Sequence, residues 1–441
     1  MLSACALRAR EYARLDAGGH AYLDFTGSAL YPESLVARHH ATLSTTVLGN
    51  PHAENPASRA STAVIDHARQ RVLDHLDADG ADYVVCFTAN ATGAMALVGS
   101  AFPFGVDTPF VLAADNHNSV NGIREYARRA GACVHYLHLD QELRLQDPSA
   151  MLDSVKGRGL LAFPAQSNFS GVKHPLSLVQ AAQARGHRVL LDAAALLPMA
   201  RLSLRDTPAD FVAMSFYKMF GYPTGVGALV ARRESLAMLR RPWFSGGTVE
   251  FVSVQHGLHS LRAHEQGFED GTANFLDIAA VPAGLDYLQH AGLEDIESHA
   301  MSLALQLMDG LGRRTHSNGA PLAAIYGPTN ARARGATVAF NVLDAHGAAI
   351  PFADVEERAR EARVSVRGGC FCNPGASEAA FGFPADATAR CLAEASVSGW
   401  NISRFARCLP GNAVGAIRAS FGAPSNTSDL ARLLAVVDSF A

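Results

Sequence analysis

The chain reads as an α/β protein, with a large domain built on a mostly parallel sheet and a smaller α/β domain after it. Three observations point there. Short apolar runs such as Val189–Leu191 and Phe211–Met214 suit buried strands and are too short for helices. They alternate with longer stretches of helical period, and 441 residues leave room for two cores. Composition is ordinary for a globular chain, 49% hydrophobic and 18% charged, with a net charge of −4. That charge gives no general reason to expect nucleic acid or an anionic membrane as partner. No apolar run approaches the ~18 residues of a membrane span. Arg8, Arg10 and Glu11 interrupt the N-terminus where a signal peptide would be apolar. The seven cysteines (5, 86, 133, 370, 372, 391, 408) are odd in number and scattered, which suits a reducing cytoplasm better than a disulfide framework. No CxxC, HExxH or P-loop occurs, and Cys370 and Cys372 lack zinc-ligand spacing, so no metal site is expected.

In chain order, residues 1–20 read as an amphipathic arm, and AYLDFTGSALYP (21–32) as a short strand and turn. Asn50-Pro51-His52 forms a polar loop, with His52 either a loop cap or turned to a substrate. The next helix shows its period in Val64, Ile65, Ala68, Val72 and Leu76. A strand at Val84–Phe87 then meets a polar turn and a helix opening near Thr92, where free N–H groups and the helix dipole suit a phosphate. Small residues Ala91 and Thr92 allow close approach. Strand, polar turn and helix recur at 109–132, with His117 in the turn, and LLAFPAQSNFSGVKHPL (160–176) supplies another strand end carrying Asn168.

The run Val189–Leu191 ends in Asp192, and Phe211–Met214 ends in Ser215-Phe216-Tyr217-Lys218. A third run, Gly227–Val230, follows a glycine-rich turn. Ligand sites in such sheets gather at the carboxyl ends of strands, which puts Asp192 and Lys218 on one rim. An amine and a carboxylate so placed match the needs of pyridoxal phosphate: the lysine tethers the aldehyde and the acid partners the ring nitrogen. A partly buried ion pair is the plainer alternative.

The wording of these stretches is more specific. DFVAMSFYKMFGYPTGVGALV (210–230) and DNHNSVNGIREYA (115–127) resemble the fold-type I, pyridoxal-phosphate-dependent class V aminotransferase and cysteine desulfurase superfamily. Within it the chain looks most like the desulfurase domain of molybdenum-cofactor sulfurases, over nearly its whole length. The resemblance implies Lys218 as tether, Asp192 at the ring nitrogen and His117 stacked on the ring. It implies Ala91, Thr92 and Ser215 around the phosphate, Tyr217 beside the cofactor, and Asn168 on the phenolic oxygen or the substrate. FEDGTANFLDIAAVPAGLDYL (268–288) matches a segment in which Thr272 would reach the partner subunit's phosphate, implying a homodimer. Two positions depart from many relatives. Ala195 stands where Gln or His is common, and Tyr217 where His often precedes the lysine.

VSVRGGCFCNPGA (364–376) resembles the cysteine loop of the same family, with Cys372 on the nucleophile's position and Cys370 beside it. A thiolate there could take sulfur from a cofactor-bound cysteine. Arg418, in GAIRASFGAPSN, matches the arginine that grips the substrate carboxylate through its planar fork, and Arg367 is expected as a second anion contact. The expected division is an arm at 1–20 packing on the small domain, a cofactor-binding domain at 21–285, and a small domain at 286–441 holding the cysteine loop at 367–376. Residues 377–412 are insertion-like, and Arg313, Arg314, Arg332 and Arg334 are expected on solvated faces.

The implied function is a cytoplasmic, homodimeric enzyme that cleaves the C–S bond of L-cysteine, leaving persulfide on Cys372 and releasing alanine to serve a sulfur-acceptor protein. The alternative is a C–S lyase or related chemistry on an S-substituted cysteine (β-elimination, decarboxylation or oxidative deamination). A non-catalytic scaffold would have no need of Lys218, Asp192, Thr92 and Arg418 together.

Overall fold

The computed structural model describes residues 4–395, 408 and 413–441; of the expected insertion at 377–412, residues 396–407 and 409–412 lie outside them. A seven-stranded sheet orders its strands 83–88, 227–232, 211–215, 188–192, 160–164, 110–113 and 134–137. Only 227–232 runs against the rest. Strands 160–164 and 211–215 are buried at every position, because helices cover both faces of a mostly parallel sheet. Successive side chains of a strand point to opposite faces. Val85, Leu161, Val189, Leu191 and Val212 therefore pack into one apolar layer. Val84, Ala162, Leu190, Phe211 and Ala213 pack into the other.

A second, antiparallel sheet orders 323–326, 337–342, 416–420 and 367–369. Helices 293–312, 352–361 and 427–438 pack their apolar stripes on it. The N-terminal segment ties the two sheets together. Residues 21–22 pair with 364–365, and Asp24 bridges to Ser420. Helix 4–11 docks through Arg8, whose guanidinium donates to Asp429 at 2.7 Å, and the Tyr12 and Tyr287 hydroxyls meet at 2.7 Å. Asp429 also completes a capping box with Asn426 at the start of 427–438.

Two expectations are corrected here. Arg334 is not solvated but 3% exposed, donating to the carbonyls of Ser170, Gly335, Pro328 and Thr337. A buried guanidinium costs least where carbonyl oxygens replace its water, and this cage stitches the 167–172 loop to the second sheet. The cysteines are not all free either: Cys391 and Cys408 form a disulfide, while 5, 86, 133, 370 and 372 are thiols. Among the described residues no helix is long and apolar enough to cross a membrane.

Candidate active site

One edge of the large sheet collects the polar strand ends. Strand 83–88 stops before Asn90, whose side chain accepts from the Gly93 N–H at 3.0 Å and caps helix 91–101. Ser215, at the end of 211–215, accepts the Ala91 N–H at 2.9 Å. Gly227 enters the reversed strand beside this turn, and a Cβ there would lie 2.6 Å from the Asn90 backbone, so only glycine admits the close approach. The Thr92 hydroxyl is exposed and 2.8 Å from that of Ser119. Ala91, Thr92 and Ser215 thus surround one polar helix start.

His117 follows strand 110–113 and does two things at once. Its Nδ1 accepts the Ser119 N–H at 3.1 Å, capping the turn at 118–121, and lies 2.9 Å from the Ser119 hydroxyl. With Nδ1 accepting, the ring proton is assigned to Nε2. Burial, and then the nearby Lys218, push the imidazole below the usual histidine range and favour its neutral form.

Asp192 closes strand 188–192 at 7% exposure. One oxygen accepts the Ala194 N–H at 3.0 Å, and the other takes no hydrogen bond among the described residues. Lys218 stands on the short helix 216–220 and likewise has no hydrogen bond or ion pair among the described residues. It retains some exposed surface as a residue, but its ammonium is deep: burial is the first cause that lowers its pKa. Arg418 and Arg367 push in the same direction, while Asp192 and Cys372 oppose. The chain has only two other lysines; Lys156 is exposed and Lys173 is paired with Glu297.

The second sheet supplies the cations. Arg418, 2% exposed, donates from Nη1 to the Asn168 carbonyl at 2.9 Å and from Nη2 to Asp24 at 3.0 Å, and its Nε is buried without a partner. Arg367 is half-exposed and binds the other oxygen of Asp24 at 2.6 Å. Tyr217 lies near enough to feel Arg367, which works against the burial that raises its hydroxyl pKa.

The cysteine loop is a tight turn. The Asn373 N–H reaches the Cys370 carbonyl at 2.9 Å, and both central residues, Phe371 and Cys372, have φ of +55°. A left-handed conformation costs a side-chain-bearing residue roughly 1–2 kcal/mol, and here two stand in succession. Their carbonyls are held: Asn168 Nδ2 donates to Phe371 at 2.7 Å and the Asn118 N–H to Cys372 at 2.7 Å. Asn373, fully buried, donates to Asn168 Oδ1 at 2.9 Å and to the Asp115 carbonyl at 2.7 Å. Both ends of the Asn168 amide are therefore occupied by this loop. The Phe371 ring faces the Arg418 guanidinium at 4.8 Å, and the Cys372 side of the turn is exposed.

The structure thus brings Lys218, Asp192, His117, Arg418, Arg367 and Cys372 into one electrostatic neighbourhood. Thr272 stands outside it, exposed, 3.4 Å from Asn50, and His52 is exposed with its N–H on Asn50. Sequence reasoning missed Asp24, Ser119, Phe371 and Asn373. An acid just after the first short strand was the only signal for Asp24; the other three are contacts of the folded chain. The donors present fit pyridoxal phosphate: an unpartnered amine, a carboxylate oxygen left open, a neutral ring and a polar helix start too tight for a Cβ at Gly227.

Comparison with known proteins agrees with this geometry. The aminotransferase class-V family model matches residues 21–433. The molybdenum cofactor sulfurase of Bos taurus is 35% identical over 449 residues, 96% of this chain and 50% of that protein. Its counterpart in Arabidopsis thaliana is 34% identical, over 99% of this chain and 58% of that one. The chain spans about half the length of these curated relatives. Among solved structures, an apo cysteine desulfurase from Thermococcus onnurineus superposes with a TM-score of 0.81 at 25% identity, covering 100% of this chain and 98% of that one. A cysteine desulfurase from Escherichia coli gives 0.78 at 22%, covering 100% and 98%.

Proposed function

We propose, from the premise that this chain belongs to the class-V aminotransferase family, that it is a pyridoxal-phosphate enzyme which removes sulfur from L-cysteine in the manner of a cysteine desulfurase. The observation that carries the reading is Lys218, without a hydrogen bond or ion pair among the described residues, on the sheet edge where Asp192 keeps one oxygen open. When bound, the cofactor supplies an electron sink for the bond-breaking at the amino acid.

The chain's residues then divide the work. Lys218 Nζ holds the cofactor and moves the proton at the substrate Cα, and its depressed pKa keeps a larger share of it as free amine. Asp192, through its open oxygen, keeps the ring nitrogen protonated. His117 would offer the ring a neutral face, and the helix start at Ala91–Gly93 with Ser215 and Thr92 would hold the phosphate. Arg418 orients the substrate carboxylate, for which two of its nitrogens keep a further N–H. Cys372 Sγ, at the exposed tip of its turn, takes the sulfur and becomes a persulfide, leaving alanine.

The same reading includes a homodimer in the cytoplasm, with a separate protein accepting the sulfur. Supporting the dimer, the 242–261 segment exposes Trp243, Phe251, Val254 and Leu258, at 59%, 54%, 95% and 62%. Apolar surface of that kind marks an interface, and Thr272 follows shortly after it. The test compares wild type with Cys372→Ala on L-cysteine and on an S-alkyl cysteine, following alanine, pyruvate and thiol. Alanine formation from cysteine should disappear in the variant. Undiminished pyruvate release from the S-alkyl substrate would replace this reading by a C–S lyase.

A further inference from the structure

Arg367 and Arg418 sit directly opposite each other where strand 367–369 pairs with 416–420. Like charges in that position repel across the ladder. Asp24 enters from the remote N-terminal segment and accepts from both arginines: Oδ1 from Arg418 Nη2 at 3.0 Å and Arg367 Nε at 3.2 Å, and Oδ2 from Arg367 Nη2 at 2.6 Å. The next turn wraps the cluster closely: the Gly27 N–H donates to the Asp24 carbonyl at 2.9 Å, and a Cβ on Gly27 would lie 2.6 Å from Asp24 Oδ2 and 2.7 Å from Arg367 Nη2. Asp24 is 7% exposed and Arg418 2%, so water does little to screen that pair, whereas the Arg367 side chain is half-exposed. Two guanidinium charges against one carboxylate leave a single positive charge. One substrate carboxylate brings the group to neutrality, and a second acid on the substrate overshoots it.

We propose that Asp24 is a specificity-determining positioning residue: by fixing the net charge of the arginine pair at one, it selects substrates that bring a single negative charge. The inference rests on the proposed C–S cleavage for its substrate class. It names a preference that the site otherwise leaves open, L-cysteine over its sulfinate, which has the same carbon skeleton and one more anionic group.

The test is a charge cycle in the cofactor-loaded enzyme. Asp24→Asn raises the pair to two charges, Arg367→Gln lowers it to none, and the double variant restores one. The first readout is the ratio of kcat/KM for L-cysteine sulfinate to that for L-cysteine. The second is the calorimetric ratio of affinities for L-aspartate and L-alanine, which needs no turnover. Both ratios should rise at least tenfold in Asp24→Asn, the change that one unit charge about 12 Å away produces at an effective dielectric of about 20 and that a nearer charge exceeds. They should fall in Arg367→Gln and return to within about twofold of wild type in the double variant. Should Asp24→Asn fail to fold, Arg367→Gln reads the same rule in the opposite direction. Equal losses for both members of each pair would overturn the inference and leave Asp24 a structural clamp. If wild type cleaves neither substrate while the affinities follow charge, the proposed reaction falls and the charge rule stands.

Discussion

Lys218 shows how a single side chain is prepared for its work. A tethering lysine must be present as amine, and burial together with Arg418 and Arg367 lowers its pKa from 10.5. The sign follows directly: a base whose pKa falls is more deprotonated at any pH below its ordinary value. The rate of cofactor capture by the cofactor-free protein should therefore rise with pH along a curve whose midpoint lies below 10.5. Arg418→Gln should move that midpoint upward, since one repelling charge is gone; stopped-flow absorbance measures both. Asp192 is the complementary case. Its open oxygen has no other task, so Asp192→Asn should leave the fold intact while cutting turnover by about two orders of magnitude or more, the range typical when a positioned acid or base is lost. Thermal melting and kcat measured side by side separate the two effects. Lys218 and Asp192 were both legible in the sequence, because each ends an apolar run of strand length. Asp24 was less so: its partners lie more than 340 positions away, a distance that no local pattern spans.

At the scale of elements, the turns set the geometry. The Cys370–Asn373 turn keeps two non-glycine residues left-handed because four asparagine-linked contacts hold it. Asn373→Ala removes two buried donations and the cap on helix 374–381, and should cost about 1–3 kcal/mol. Thermal unfolding reads that loss. Cofactor affinity should change less than turnover, since the turn carries Cys372 and not the phosphate cup. Gly227→Ala should do the reverse, forcing the Asn90 turn to shift and weakening cofactor binding, as equilibrium titration would show. Sequence periodicity located the strands and the helix around the Asn90 turn to within a few residues at each end. It said nothing of the left-handed pair, because Phe and Cys are not the residues that favour such a conformation. Nor did it find the occupied amide of Asn168, whose partners, Phe371 and Asn373, are set by how the two sheets meet.

Across the whole molecule, the site is made where two sheets face each other: one supplies the amine, the acid and the helix start, the other the arginines and the cysteine turn. The N-terminal segment, through Arg8 on Asp429 and Tyr12 on Tyr287, and the Arg334 carbonyl cage hold that relation. Arg334 was misread because sequence neighbours gave no sign of burial; an arginine caged by carbonyls looks locally like any polar loop residue. The disulfide between Cys391 and Cys408 was equally invisible, since pairing depends on where the chain folds back. If the apolar 242–261 segment is a subunit interface, Phe251→Asp should shift the protein toward monomer in sedimentation analysis and lower activity through loss of Thr272 from the neighbouring site. An unchanged sedimentation coefficient would remove that segment from the dimer.

Everything proposed for the site depends on Lys218 carrying the cofactor between Asp192 and the arginine pair. With only three lysines in the chain, one measurement addresses it: load the protein with pyridoxal phosphate, fix the linkage by borohydride reduction, and locate the pyridoxyl group by peptide mass spectrometry. The account predicts a single adduct on the peptide containing Lys218, absent in Lys218→Ala. A label on Lys156 or Lys173, or no label at all, would contradict it.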